Sequence, residues 1–113
     1  MTVISNDMRF TGKVATEVIH ETPEAHKVRI LSVTFDPGVT TYWHAHRGGQ
    51  VLHITQGNGR VRTWGEPVRK VVTGDTVVAA PGEKHWHGAN PGDSMTHIAV
   101  SIGAVDWMEA PDE

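Results

Sequence analysis

The chain has 113 residues, a formal charge of −3 and no cysteine. Such a length suits one domain, residues 1–113, with a modest core, and the lack of thiols excludes disulfides and thiolate-held zinc or iron–sulfur centres. The slight acidity offers no footprint for nucleic acid, and the pairs Arg60/Arg62 and Arg69/Lys70 are interrupted by apolar residues and read as solvated strand faces.

From the N-terminus, Met1 to Asp7 shows neither a basic nor an apolar leader region, and no apolar run approaches the roughly 18 residues that cross a bilayer. A cytoplasmic location without membrane contact is the expectation. Runs rich in β-branched and aromatic residues then follow one another: 13–20, 28–35, 40–44, 50–55, 60–64, 68–72, 76–80, 85–88 and 95–102. Turn chemistry separates them at Asp36-Pro37-Gly38, Gly57-Asn58-Gly59, Gly65-Glu66-Pro67, Thr73-Gly74-Asp75, Pro81-Gly82 and Asn90-Pro91-Gly92. No segment keeps a 3.6-residue apolar period over three turns, so an all-β sandwich or barrel is predicted. The tail, Val105 to Glu109, is expected to form at most one docked turn.

Of eight histidines, five fall in three short stretches: His44 and His46, His85 and His87, and His97. Side chains at i and i+2 of a strand share a face, so each His-x-His pair projects two imidazoles into one space. Two such strands facing each other in a barrel make a transition-metal site of neutral imidazoles. His53 has the opposite parity to Gln50, His20 and His26 lie near Pro23 in an edge segment, and Lys84 and Trp86 alternate with the site histidines. All five are expected to point away from the metal or to lie at the surface. Leu31 and Val33 have parity suited either to a cavity wall, as a substrate pocket, or to plain core.

These residues carry a family resemblance. Gly38, five residues, His44-x-His46, three residues, Gln50, six residues and Gly57 resemble the first cupin motif (38–57), with Gln50 where glutamate is usual. Gly74-Asp75, Pro81-Gly82 and His85 resemble the second (74–90), with Ala80 and Ala89 where proline and asparagine are common. Gly82-Glu83-Lys84-His85-Trp86-His87-Gly88-Ala89, Met95-Thr96-His97-Ile98-Ala99 and Val105-Asp106-Trp107-Met108-Glu109 resemble a narrower group. These are small manganese-containing cupins that include bacterial hydroxynitrile lyases and the cupin partners of carboxymuconolactone-decarboxylase-like domains.

The resemblance implies a single cupin barrel of the jelly-roll, double-stranded β-helix type. It implies one divalent metal on His44, His46, Gln50 and His85, manganese first, with iron, nickel, copper or zinc able to take the same donors. His87 and His97 then line the cavity as catalytic residues, and a small molecule is the substrate. The implied reaction is reversible cleavage of a cyanohydrin to a carbonyl compound and hydrogen cyanide. A cupin dioxygenase, or a cupin that only binds a metal or small ligand, are the alternatives. Relatives of this kind also imply a homodimer or homotetramer, with the N-terminal strand and the Trp107 tail as contacts.

Overall fold

The computed structural model describes residues 2–5, 9–23 and 27–112. His26 lies outside them. The strands are β1 (Thr2–Ser5), β2 (Val14–Glu21), β3 (Val28–Phe35), β4 (His44–His46), β5 (Gln50–Thr63), β6 (Arg69–Val72), β7 (Thr76–Ala79), β8 (His85–Ala89), β9 (Met95–Ile102) and β10 (Val105–Trp107). Among the described residues there is no helix, and none long and apolar enough to cross a membrane.

Two antiparallel sheets share β5 and curl around a common interior. The first runs β1-β2-β3-β9-β5-β7, and the second runs β6-β5-β8-β4-β10. The strand β5 corrects the sequence reading, which placed a turn at Gly57-Asn58-Gly59. Its first half pairs with β7 and β9 and its second half with β6 and β8, so the chain changes sheets without breaking. A bulge between Ile54 and Gln56 and a positive φ of 82° at Gly57 absorb the bend. A side chain at Gly57 would collide with the Ser94 carbonyl oxygen, which is why glycine stands inside a strand.

Two further elements differ from expectation. Residues 40–44 do not form a strand: Thr40 and Thr41 make only isolated bridges, and the strand proper is His44–His46. The tail is not a helical turn but β10, which pairs with β4 so that Trp107 lies beside His44 and Val105 beside His46. Arg47 donates two hydrogen bonds to the Asp106 carboxylate, and Lys84 pairs with Glu109 at 2.9 Å. Both contacts tie the tail to the barrel, whereas an isolated turn would have neither.

The apolar core, including Phe35, Leu52, Ile54, Val61, Val77 and Met95, fills one end of the interior. The other end is a cavity of about 290 Å³, and Val14, Val33, Phe35 and Ala99 belong to both. Burying a side chain such as Leu52 or Ile54 stabilises by roughly 1.5–3 kcal/mol, so this end frames the cavity from below. Outside the second sheet, Arg60 lies over the Trp86 ring and Arg62 over Trp43. These arginines cover tryptophans and are half-buried, while Arg69 and Lys70 are exposed as expected.

Candidate metal centre

Strand alternation supplies most of the site. His44 and His46 on β4, His85 and His87 on β8, and His97 on β9 are all buried and inward. Gln50, the first residue of β5, joins them because Gly49 takes a φ of 91° in the connection from β4. A side chain there would stand 2.9 Å from the Ala79 carbonyl oxygen. The closest trio is His44, His85 and His87, whose donor atoms lie within 4.8 Å of one another. His46 borders them, with its ring centroid 5.0 Å from His44 and 6.0 Å from His85.

Hydrogen bonds decide which atoms face inward. His44 Nδ1 donates to the Tyr42 carbonyl at 2.8 Å, and His85 Nδ1 donates to the Glu83 carbonyl at 2.9 Å. Each bond fixes the tautomer and leaves Nε2 as a bare lone pair, the arrangement common for a metal-ligating histidine. The Gln50 amide donates from Nε2 to Ser101 Oγ at 2.9 Å, which turns Oε1 toward His85 Nε2, 3.0 Å away. With the amide so oriented, two acceptors meet with no proton between them. Neither nitrogen of His46 has a partner, although both are buried. The bare acceptors of His44, His85 and Gln50 thus lie close together inside the barrel, a donor set that a divalent cation would satisfy.

Electrostatics point the same way. Burial, then the neighbouring imidazoles His85, His46 and His97, hold His44 well below its ordinary pKa, even though its bond to the Tyr42 carbonyl acts upward. Burial lowers His85, pushes His46 down to about 4, and with His97 and the other site imidazoles keeps His87 well down. His97, also buried, falls to about 4. The cluster is therefore neutral at pH 7, as ligation by imidazole requires.

A stability consequence follows for the metal-free protein. An unfolded histidine takes its proton near 6.5, whereas folded His97 does so only near 4. Between those values the unfolded state binds more protons, so this stability is fully present above about pH 6.5 and is lost as pH falls toward 4. For the fully buried His97 the shift corresponds to roughly 3 kcal/mol. The urea midpoint of metal-free protein is expected to fall steadily from pH 7 to 4, and His97→Leu to flatten that slope. A midpoint constant over the window would remove this account.

The rest of the cavity wall is mainly apolar, although Arg9, Thr16, Arg29, Thr41 and Ser101 also line it. Leu31 and Val33 line it, together with Phe10, Val14, Phe35 and Trp107. Phe35 meets the His97 ring at 5.2 Å and the His87 ring at 6.0 Å, edge-on. His97 Nε2 and His87 Nδ1 are 2.9 Å apart, and His87 Nε2 is buried without a partner. His53 is exposed and bonds Thr76, His20 is exposed, and Trp86 points outward under Arg60. Sequence reasoning missed Ser101, Phe35 and Trp107. Ser101 reaches Gln50 only through the β5–β9 register, and Trp107 reaches His44, at 4.6 Å between rings, only because the tail pairs with β4.

A family model described as a cupin domain matches residues 31–103. The chain belongs to the cupin family. This cupin is 45% identical, over 88% of its own length and 79% of the relative's, to a protein of Granulicella tundricola named (R)-mandelonitrile lyase. Among solved structures it is similar to a cupin-like protein of Thermotoga maritima, with 36% identity, a TM-score of 0.83, and coverage of 89% of this chain and 80% of the other. A cupin 2 conserved barrel domain protein of Rhodopseudomonas palustris, at 22% identity, shares the fold, with a TM-score of 0.78 and coverage of 98% and 77%. The all-β cupin architecture expected from the two motifs is thus shown, and the three-histidine group is one that can hold a metal ion.

Proposed function

We propose that this cupin is a metal-dependent lyase that cleaves cyanohydrins reversibly to an aldehyde or ketone and hydrogen cyanide. The observation that carries the reading is the cavity itself, where a wall of neutral imidazoles and one amide oxygen faces a mainly apolar chamber that Arg9 and Arg29 also line. A small molecule with one polar and one apolar end fits such a chamber. The similarity to the Granulicella protein supports the reaction class.

His44, His46, Gln50 and His85 would hold the ion, with manganese the proposed metal. When bound, it would supply Lewis acidity toward the substrate hydroxyl, undiminished by any anionic ligand. His87 Nε2, buried and unpartnered, takes the hydroxyl proton while its Nδ1 is held by His97 Nε2. The carbon–cyanide bond then breaks with its electron pair on cyanide, and the His87–His97 pair returns a proton to yield hydrogen cyanide. Phe35 packs on both rings and keeps water from the pair. Leu31 and Val33 hold the apolar part of the substrate.

The test pairs metal analysis with cyanide release from mandelonitrile, oxygen uptake being followed in the same vessel. About one equivalent of manganese with cyanide release and no oxygen uptake is expected. Oxygen consumption during turnover would instead favour a dioxygenase, and bound metal without reaction across a broad panel a binding protein.

Gln50 gives a second check. Gln50→Glu keeps the side-chain length and adds a charge, so the metal is expected to bind more tightly through Coulomb attraction. The same charge lowers the acidity of the ion, and cyanohydrin cleavage is expected to weaken at equal metal occupancy. Equal or faster cleavage would show that the neutral ligand does not tune this reaction.

A further inference from the structure

The charges that border the cavity are of one sign. Arg9 and Arg29 both line it, and among the described residues no Asp or Glu does, although the chain as a whole carries a charge of −3. Alternation on β3 gives the cavity Arg29, Leu31, Val33 and Phe35 in turn. Strand register fixes how far Arg29 stands from the site. Glu21 pairs with Arg29, Arg29 with Ser101, and Ser101 with Gln50, in one row across the first sheet. Two strand spacings of about 4.8 Å thus separate the backbones of Arg29 and Gln50, and Arg29 lies between Gln50 and Glu21. The second sheet brings up the other cation. The Arg9 guanidinium carbon is 5.3 Å from the centre of the Trp107 ring, and that ring is 4.6 Å from the ring of His44. A neighbouring recess shares Arg29, Gly103 and Val105 with the cavity and adds Lys27 to the same rim.

We propose that this rim recognises a carboxylate, and that the molecule filling the cavity is a small organic acid with an oxygen function at its other end. The Arg29 guanidinium already holds a carboxylate, that of Glu21, through Nε at 2.8 Å. That contact engages one of the five N–H donors of a planar fork whose geometry matches a carboxylate. Both members of the pair are about half exposed, so the pair contributes little to stability and yields readily to a competing carboxylate. Arg9 and Arg29 repel each other across one mouth unless an anion comes between them, and their joint field in a cleft with apolar walls draws anions inward. Leu31 and Val33 suit a short hydrocarbon spacer between the acid group and the imidazole wall. On the cyanohydrin reading, on which this refinement of the substrate rests, the substrate is the cyanohydrin of an oxo acid, and an oxo acid is released with hydrogen cyanide.

Calorimetry on the manganese-loaded protein compares two acids, para-(hydroxymethyl)benzoate and the flexible ω-hydroxyhexanoate, with their methyl esters. At least one acid is expected to bind about tenfold or more tighter than its ester, as charge-assisted hydrogen bonds supply, and the advantage is expected to shrink as salt is added. It is expected to fall in Arg29→Gln and in Arg9→Gln and to vanish when both are combined. The circular dichroism should stay unchanged, because both side chains are exposed. Esters that bind as tightly as both acids overturn the proposal. So does an advantage that survives the double substitution, since the carboxylate would then sit on the metal and not at the rim. Cyanide release from mandelonitrile and para-carboxymandelonitrile keeps the two readings apart. Arginine-dependent preference for the acid with no cyanide from either nitrile removes the lyase reading and leaves the rim assignment standing. Cyanide from both at equal kcat/KM, with no preference for the acids, removes the rim assignment and leaves the lyase.

Discussion

His44→Ala and His46→Ala are each expected to strip the protein of stoichiometric metal while leaving a folded β barrel. The two imidazoles leave β4 on the same face, and the bond from His44 to the Tyr42 carbonyl has already committed its Nε2 to the interior. Removing a partner of a ligand typically costs 10–100-fold in metal affinity, and removing the ligand itself is expected to exceed that. The fold survives because the apolar end of the barrel, with Leu52, Ile54, Val61 and Met95, lies away from these residues. Loss of one poorly solvated imidazole from the cavity wall in each variant also relieves desolvation in the metal-free state. Elemental analysis after purification in manganese, together with a far-ultraviolet spectrum, reads both parts. Stoichiometric metal in both variants would remove the assignment of this strand to the site.

The second large effect is kinetic and separates a base from a ligand. His87→Ala is expected to keep about one equivalent of metal and to lose a factor of about 10² to 10⁴ in cyanohydrin cleavage, or roughly 3 to 5 kcal/mol of barrier. The geometry makes this variant informative, because His87 stands in the compact trio with His44 and His85 yet is also joined to His97. With Nδ1 engaged by His97, its Nε2 can either hold a metal or take a proton. Loss of metal from His87→Ala would place that nitrogen in the coordination shell. Full metal and unchanged turnover would shift the proton transfer to His97, whose Nδ1 is also buried without a partner. His97→Ala measured beside it completes the comparison, and a pair that acts as one relay is expected to show non-additive losses.

Much of the site was legible in the residues because a period of two is rigid. His44 with His46, and His85 with His87, share a face in any strand, and the parity that set His53 and Trp86 apart from them holds in the structure. The same regularity made the all-β class readable from the spacing of glycine and proline between β-branched runs. Two local signals misled. Gly57-Asn58-Gly59 has turn composition, yet it lies inside β5, because the glycines answer to the approach of Ser94 and Met95 from a strand nearly forty residues away. The tail reads as at most one docked turn, and it is a strand because β4 presents an open edge to it.

The sequence by itself determined the class of fold, the face shared by His44 with His46 and by His85 with His87, and the absence of any thiol or carboxylate in the predicted donor set. The tertiary structure alone decided what those side chains meet. The β5–β9 register sets Ser101 against Gln50 and so orients the amide oxygen. The β4–β10 pairing brings Trp107 onto His44, and the crossing of strands puts His97 against His87 across the cavity. The physical reason is that alternation is a property of one strand, whereas register, closure and cross-strand contact depend on loop lengths and on burial summed over the whole chain.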